Sequence, residues 1–189
     1  KYGTTDVTRT ICFSKPKKII KNIFTRVLKG HIAVVKSNLN KYSTGNLIDI
    51  RARKFLKEIN LDYQHGTGHG VGFFLNVHEG PHSISKYNKI KLREGMIVSN
   101  EPGYYKKGKF GIRIENLIYI SKKNKKLNKF ENLTLVPIDK SLIEKKLDWA
   151  IDKPDFLHAI TDEAQKRLCN IRSQNGLEDF ANKISKLLI

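Results

Sequence analysis

A chain of 189 residues with 39% hydrophobic and 29% charged residues can bury a sizeable core and is most simply one domain with a small appendage. No apolar run is long enough for a membrane span, and Cys12 and Cys169 are too few and too far apart for a disulfide framework or a thiolate metal site, which fits reduced thiols in a cytoplasmic setting. The net charge of +18 invites a nucleic-acid reading, but the lysines are scattered among asparagines and isoleucines and no nucleic-acid module is visible, so neither nucleic acid nor a membrane is the expected partner. Lys1 opens no signal-peptide pattern, and a first residue other than methionine suggests sequence upstream.

From Lys1 to Phe13 threonine alternates with charged or apolar residues, a strand pattern that puts Thr4, Asp6 and Thr8 on one face. Ser14 and Pro16 then open a helix. In it Ile19, Ile20, Ile23, Phe24, Val27, Leu28, Val35 and Leu39 recur at amphipathic spacing, with Lys17, Lys18, Lys21 and Lys29 on the solvated side. His31, on the same helix, is expected to be dispensable for chemistry. Thr44 caps a second helix that carries Leu47, Ile48, Phe55, Leu56 and Ile59 and ends near Asn60.

The stretch HGTGHGVGFFLNVHEGP, His65 to Pro81, crowds three histidines and five glycines into seventeen residues. His65 and His69 are four apart, which on a helix would suggest a zinc pair, but the alternating glycines each cost a helix interior about 1 kcal/mol. An extended, turning backbone is expected instead, with glycine supplying unusual dihedrals and room for close approach. Histidines on such a segment are candidates for metal ligation or proton transfer.

Met96 to Ser99 reads as a short strand entering a Pro102–Gly103 turn. FGIRIENLIYI, Phe110 to Ile120, alternates with Ile112, Ile114, Ile118 and Ile120 one way and Arg113 and Glu115 the other, so both polar residues can reach one site. Lys122 to Lys129 is expected as a solvated hairpin loop, Leu133 to Ile138 as a last strand, and the chain from Asp139 as helical. The division is thus a domain over 1–138 and a helical C-terminal extension over 139–189, with no internal repeat.

Asp6, His69, Glu101 and Glu115 form an oxygen-rich set with one imidazole, a donor set for manganese, cobalt or zinc-type ions, often in pairs. Each has a plainer role when taken alone: Asp6 as an edge-strand carboxylate, Glu115 as a structural partner of Arg113, and His69 as a hydrogen-bonded structural residue.

GTTDVTRT, HGTGHGVGFFLNVHEGP, GMIVSNEPGYY and FGIRIEN, in this order and spacing, resemble the C-terminal catalytic domain of the Xaa-Pro aminopeptidase (aminopeptidase P) family, cytosolic eukaryotic type. The resemblance implies the α/β (α+β) pita-bread fold, a curved antiparallel sheet with outer helices around a dinuclear metal site. It also implies hydrolysis of the N-terminal Xaa-Pro bond by water activated between two divalent ions, manganese first, with zinc or cobalt as alternatives. Asp6 and Glu115 would bridge the two ions, while His69 and Glu101 would complete the shell of one. His65 and His78 would line the substrate cleft, His78 steadying the developing oxyanion or the leaving proline nitrogen. Glu101 would also shuttle the proton, and Arg113 would orient Glu115 from behind. Tyr104 and Tyr105 are candidate walls of the proline pocket, and Phe74 is assigned to the core.

The family also uses an aspartate shortly upstream of Asp6, beyond the start of this sequence, so the chain as given is expected to bind metal weakly and to turn over slowly. A homodimer is expected in the full-length protein, with Trp149, Phe156 and Leu157 as interface residues. The alternatives are a prolidase-like dipeptidase, against which the HGTGHGVG segment argues, and a non-catalytic pita-bread module that binds protein or nucleic acid. Such modules lose their metal ligands, whereas this chain keeps Asp6, His69, Glu101 and Glu115.

Overall fold

The structure, a computed structural model, describes residues 4–72, 76–124 and 127–144. The chain divides into two compact units, Lys1–Thr134 with Asp139–Ala150, and Leu135–Ile138 with Ile151–Ile189. The expected roles of Phe74, Trp149, Phe156 and Leu157, and nearly all of the helical extension, lie outside the described residues.

Two helices, α1 (Lys18–Val35) and α2 (Gly45–Lys57), pack on each other. In α1 the apolar stripe is buried at Ile23, Phe24, Val27 and Leu28, as the spacing predicts, while Ile19 lies outside the packed face. The helix ends at Val35, and Leu39 is buried from the turn beyond it. Lys29, expected in solvent, is 4% exposed, because α1 is flanked by α2 and by strands and keeps little free flank. Thr44 stands at the N-cap of α2, but its hydroxyl donates to the Asn46 Oδ1 at 2.6 Å and caps no backbone N–H. Asn60, with φ 56°, adopts the left-handed conformation just past the helix end.

Among the described residues seven short strands follow: β1 (Gly68–His69), β2 (Ser83–Ile84), β3 (Ile97–Asn100), β4 (Gly103–Lys106), β5 (Phe110–Arg113), β6 (Asn116–Asn124) and β7 (Leu127–Asn132). They pair antiparallel as β1–β2, β3–β6–β7 and β4–β5. An isolated bridge from Gly70 to Val98 ties the glycine-rich segment to β3. The core lies between the helices and these strands, where Val34, Ile48, Ala52, Ile84, Val98, Ile118, Ile120 and Phe130 form one buried cluster. Full burial of each large aliphatic side chain contributes about 1.5–3 kcal/mol.

Three expectations about the strands change. The Lys122–Lys129 tract is mostly strand rather than loop: Ser121 pairs with Lys129 and Lys122 with Asn128 across the β6–β7 ladder. Leu133–Ile138 is not a strand; the last one among the described residues ends at Asn132, and a short 3-10 turn over Lys140–Leu142, capped by the Asp139 side chain, follows. FGIRIENLIYI is two strands in different sheets, although Ile112, Ile114, Ile118 and Ile120 are all buried as alternation requires.

The N-terminal segment is extended but, among the described residues, makes a single bridge, Thr8 to Glu115. Its next rung is supplied by a side chain: the Thr10 hydroxyl accepts from the Arg113 N–H at 3.0 Å and donates to the Arg113 carbonyl at 3.1 Å, where a backbone pair would continue a ladder. The alternation survives, so that Thr4, Asp6 and Thr8 are half-buried while Thr5 and Val7 are exposed.

Candidate metal and catalytic site

Asp6 and Thr8, two apart on the extended segment, face the same way. Thr8 accepts the Glu115 N–H at 3.0 Å and donates its hydroxyl to the Glu115 carboxylate in a short hydrogen bond. Arg9 donates to the Glu115 carbonyl at 2.6 Å and to Asn116 Oδ1 at 2.7 Å, clamping the junction from which Glu115 projects. Burial holds the Arg9 pKa down at about 10, against the pull of Glu115.

His69 arrives on β1 by close backbone packing. A Cβ on Gly68 would lie 1.9 Å from the Ser99 carbonyl oxygen, and one on Gly70 would lie 2.0 Å from the Glu79 carbonyl oxygen. These glycines serve close approach and not unusual dihedrals, since the positive-φ glycines among the described residues are Gly95 and Gly108. The His69 N–H donates to Ser99 Oγ at 2.9 Å, and that hydroxyl donates to Glu101 Oε1 at 3.0 Å. The Glu101 N–H in turn donates to the Thr67 carbonyl at 2.7 Å. Glu101 is 8% exposed, and burial followed by the nearby Glu115 charge raises its pKa.

The His69 ring decides what this cluster fits. Nδ1 lies 3.0 Å from the Gly70 carbonyl, which fixes the proton there and leaves Nε2 with a free lone pair. Nε2 is buried with no hydrogen-bond partner among the described residues, yet it lies 3.5 Å from Asp6 Oδ2 and 3.4 Å from Glu101 Oε1. Two donors sharing a divalent ion at about 2.1 Å each and a near-tetrahedral angle stand roughly 3.4 Å apart. Glu115 completes one group of close donor atoms with His69 and Glu101, and Asp6, His69 and His78 form a second. The donor set therefore fits hard divalent ions, as the sequence suggested.

His78 is exposed and meets the His69 ring edge-on, with centroids 4.0 Å apart. On the other side, Arg113 Nε donates to the Tyr105 hydroxyl at 2.8 Å, and that hydroxyl stands 3.0 Å from His65 Nε2. His65 Nδ1 stands 2.7 Å from the Gly66 carbonyl. One proton assignment satisfies all three contacts: Arg113 to tyrosine oxygen, tyrosine O–H to His65 Nε2, and Nδ1–H to Gly66. The His65 pKa is lowered, chiefly by burial, which agrees with a neutral ring that accepts at Nε2.

Asp6, His69, Glu101, Glu115, His78, His65, Tyr105 and Arg113 thus lie around one centre. Arg113, expected to orient Glu115, makes its ion pair among the described residues with Glu101. Its guanidinium lies 3.5 Å from Glu101 Oε2, while the Glu115 carboxylate is held by Thr8: Arg113 ends the β4–β5 hairpin, and Glu115 lies between β5 and β6, bridged to Thr8. Tyr104 turns to the opposite face of its strand and packs toward Phe110, with centroids 6.0 Å apart, so it is no wall of this site. Sequence reasoning missed Thr8, Arg9 and Ser99. Thr8 follows Asp6 by two and Ser99 precedes Glu101 by two on extended backbone, a same-face signal that was available.

The metallopeptidase family M24 model matches residues 1–122. A Laccaria bicolor protein named probable Xaa-Pro aminopeptidase P is 50% identical over 155 residues, 77% of this chain and 24% of that protein. The chain spans about a quarter of the length of the curated relatives it matches. Among solved structures, an X-prolyl aminopeptidase from Caenorhabditis elegans, described as a cytosolic enzyme with a di-nuclear active site, matches with TM-score 0.79 and 36% identity over 95% of this chain and 31% of its own. A prolidase from Pyrococcus furiosus matches with TM-score 0.61 and 32% identity over 70% of this chain and 37% of its own. With its donor residues convergent and its mixed helix-and-antiparallel-strand fold of the pita-bread type, the chain belongs to metallopeptidase family M24.

Proposed function

We propose that this chain is the catalytic part, over 1–138, of a metal-dependent aminopeptidase that removes the N-terminal residue from peptides with proline second, followed by a helical extension over 139–189. The observation that carries the reading is His69 Nε2, buried and without a hydrogen-bond partner among the described residues, aimed between the carboxylates of Asp6 and Glu101. Asp6 and Glu115 would bridge two divalent ions, with His69 and Glu101 on one of them. Manganese is the first candidate, with zinc or cobalt as alternatives. Bound ions of this kind lower the pKa of water and polarise a carbonyl oxygen.

The chain's own groups do the rest. Glu101, with its pKa raised by burial and by Glu115, accepts the proton of the attacking water and passes it to the departing proline nitrogen. That nitrogen carries no N–H before cleavage, so recognition of the proline falls to shape rather than to a backbone hydrogen bond. Exposed His78 is free to donate to the oxygen on which negative charge develops. The His65–Tyr105–Arg113 chain holds the Arg113 guanidinium beside Glu101 and limits how far the Glu101 carboxylate can swing. In the whole protein we expect a cytoplasmic homodimer.

The test is manganese-dependent release of the first residue from a short Xaa-Pro-Xaa peptide, beside an Xaa-Pro dipeptide, by this chain, by a form extended upstream, and by Glu101→Ala. Turnover of the longer peptide that needs manganese and Glu101 supports the reading. Preference for the dipeptide would make the chain prolidase-like. A folded, metal-loaded protein silent in both lengths would point to the binding module.

A further inference from the structure

Arg53, on α2, is 8% exposed and touches none of the proposed metal donors, yet its hydrogen bonds to Asp49, Asp62, Tyr63 and His65 converge on the approach to the glycine-histidine segment. Nε donates to Asp49 Oδ2 at 2.8 Å. One terminal nitrogen donates to Asp62 Oδ1 and to the Tyr63 carbonyl, each at 2.7 Å, and the other donates to the His65 carbonyl at 2.6 Å. The guanidinium also lies over the Tyr63 ring, 3.9 Å from its centroid, and that ring packs against His65 with centroids 4.8 Å apart. Its partner Asp49, 1% exposed, accepts the Thr67 hydroxyl at 2.6 Å, and the Thr67 carbonyl holds the Glu101 N–H.

An exposed i,i+4 ion pair on a helix contributes little and needs no burial. This pair is buried and branched, and its planar fork fixes both ends of the Tyr63–His65 segment at once. Lysine, a single point of charge, could keep Asp49 but could not reach both carbonyls.

We propose that Arg53 is a positioning residue for the reaction: from α2 it sets the backbone and ring plane of His65, so that Nε2 meets the Tyr105–Arg113 chain beside Glu101. The proposal rests on the reading of His65 as a group that faces substrate.

The experiment is a double-mutant cycle in the manganese-loaded protein, with Arg53→Lys, His65→Ala and the double variant compared for kcat, KM and metal content, together with the imidazole nitrogen resonances of His65 recorded in the diamagnetic zinc-loaded protein. A displaced catalytic group costs on the order of 100-fold in rate. Arg53→Lys is expected to lower kcat toward that figure with metal content retained, to shift the His65 resonances, and to add no further loss once His65 is alanine. An equal loss in both His65 backgrounds would mean a general structural role and overturn the proposal. Unshifted His65 resonances in Arg53→Lys would overturn it without reference to activity. If His65→Ala turns over normally, it is the functional reading of His65 that fails, and the resonances still decide whether the clamp holds. Should Arg53→Lys not fold, Asp62→Ala loosens the fork from its exposed side and must shift the same resonances.

Discussion

Acidification should destabilise this protein through one residue that takes no part in the proposed chemistry. His31 on α1 is fully buried, and neither ring nitrogen has a hydrogen-bond partner among the described residues. Burial, reinforced by the charge of Arg9, lowers its pKa from 6.5 to about 3; backbone groups of Ile114 and Asn100 pull the other way without reaching hydrogen-bonding geometry. A depressed histidine pKa means that the unfolded chain takes up a proton the folded one refuses. Its contribution is therefore fully present above pH 6.5 and is lost as pH falls from 6.5 toward about 3. One proton costs about 1.4 kcal/mol per pH unit in that window, so roughly 2 kcal/mol is lost by pH 5. His31→Leu removes the titrating group and two unpartnered nitrogens while conserving much of the volume. At pH 7 the variant should match or exceed the wild type in denaturant unfolding. Between pH 6.5 and pH 5 the difference in its favour should widen by the same ~2 kcal/mol, with the other ionisable groups cancelling in the comparison. Parallel pH profiles, or a wild type that gains on the variant in acid, would refute the argument and mean that His31 is charged and paired inside the fold.

Glu115→Ala should strip metal from both positions, since a bridging carboxylate serves two ions; elemental analysis after dialysis that finds the stoichiometry unchanged would end the bridging assignment. His78→Ala, a change at an exposed position, should leave stability within about 0.5 kcal/mol and lower turnover far more than metal content. Equal loss of turnover and metal would make His78 a ligand. Gly68→Ala forces a Cβ to within 1.9 Å of the Ser99 carbonyl oxygen, so β1 and β3 must part, at a cost of about 1–3 kcal/mol and with weaker metal retention; an unaltered melting temperature would show that the strands can slide apart freely.

The order of these elements along the chain explains which parts were legible. Ile23, Phe24, Val27 and Leu28 mark α1 because a helix against one surface leaves a 3.6-residue trace in sequence. Its end at Val35 left none, since burial continues at Leu39 from a turn. The isoleucine alternation from 112 to 120 likewise runs through Ile114, where the chain leaves one sheet for another; a strand's partner is chosen at long range, and the period cannot report it. For the same reason the lysine-asparagine tract concealed a ladder, its poor strand propensity overridden by pairing with β6.

The site divides along the same line. Its donors were named from motifs, and two of their supports, Thr8 and Ser99, stand two residues from a donor on the same face, so period-2 reasoning reaches them. The attachment of Arg113 to Glu101 rather than to Glu115 depends on which hairpin each residue joins. Arg53 depends on more still: Asp49 and Arg53 stand four apart, a spacing that marks no more than a pair on one helix face, and only the packing of α2 beneath the His65 segment gives the guanidinium two carbonyls to hold. What local periodicity can encode is the face of a side chain. What it omits is the partner, and in this chain the geometry of the centre is set by partners.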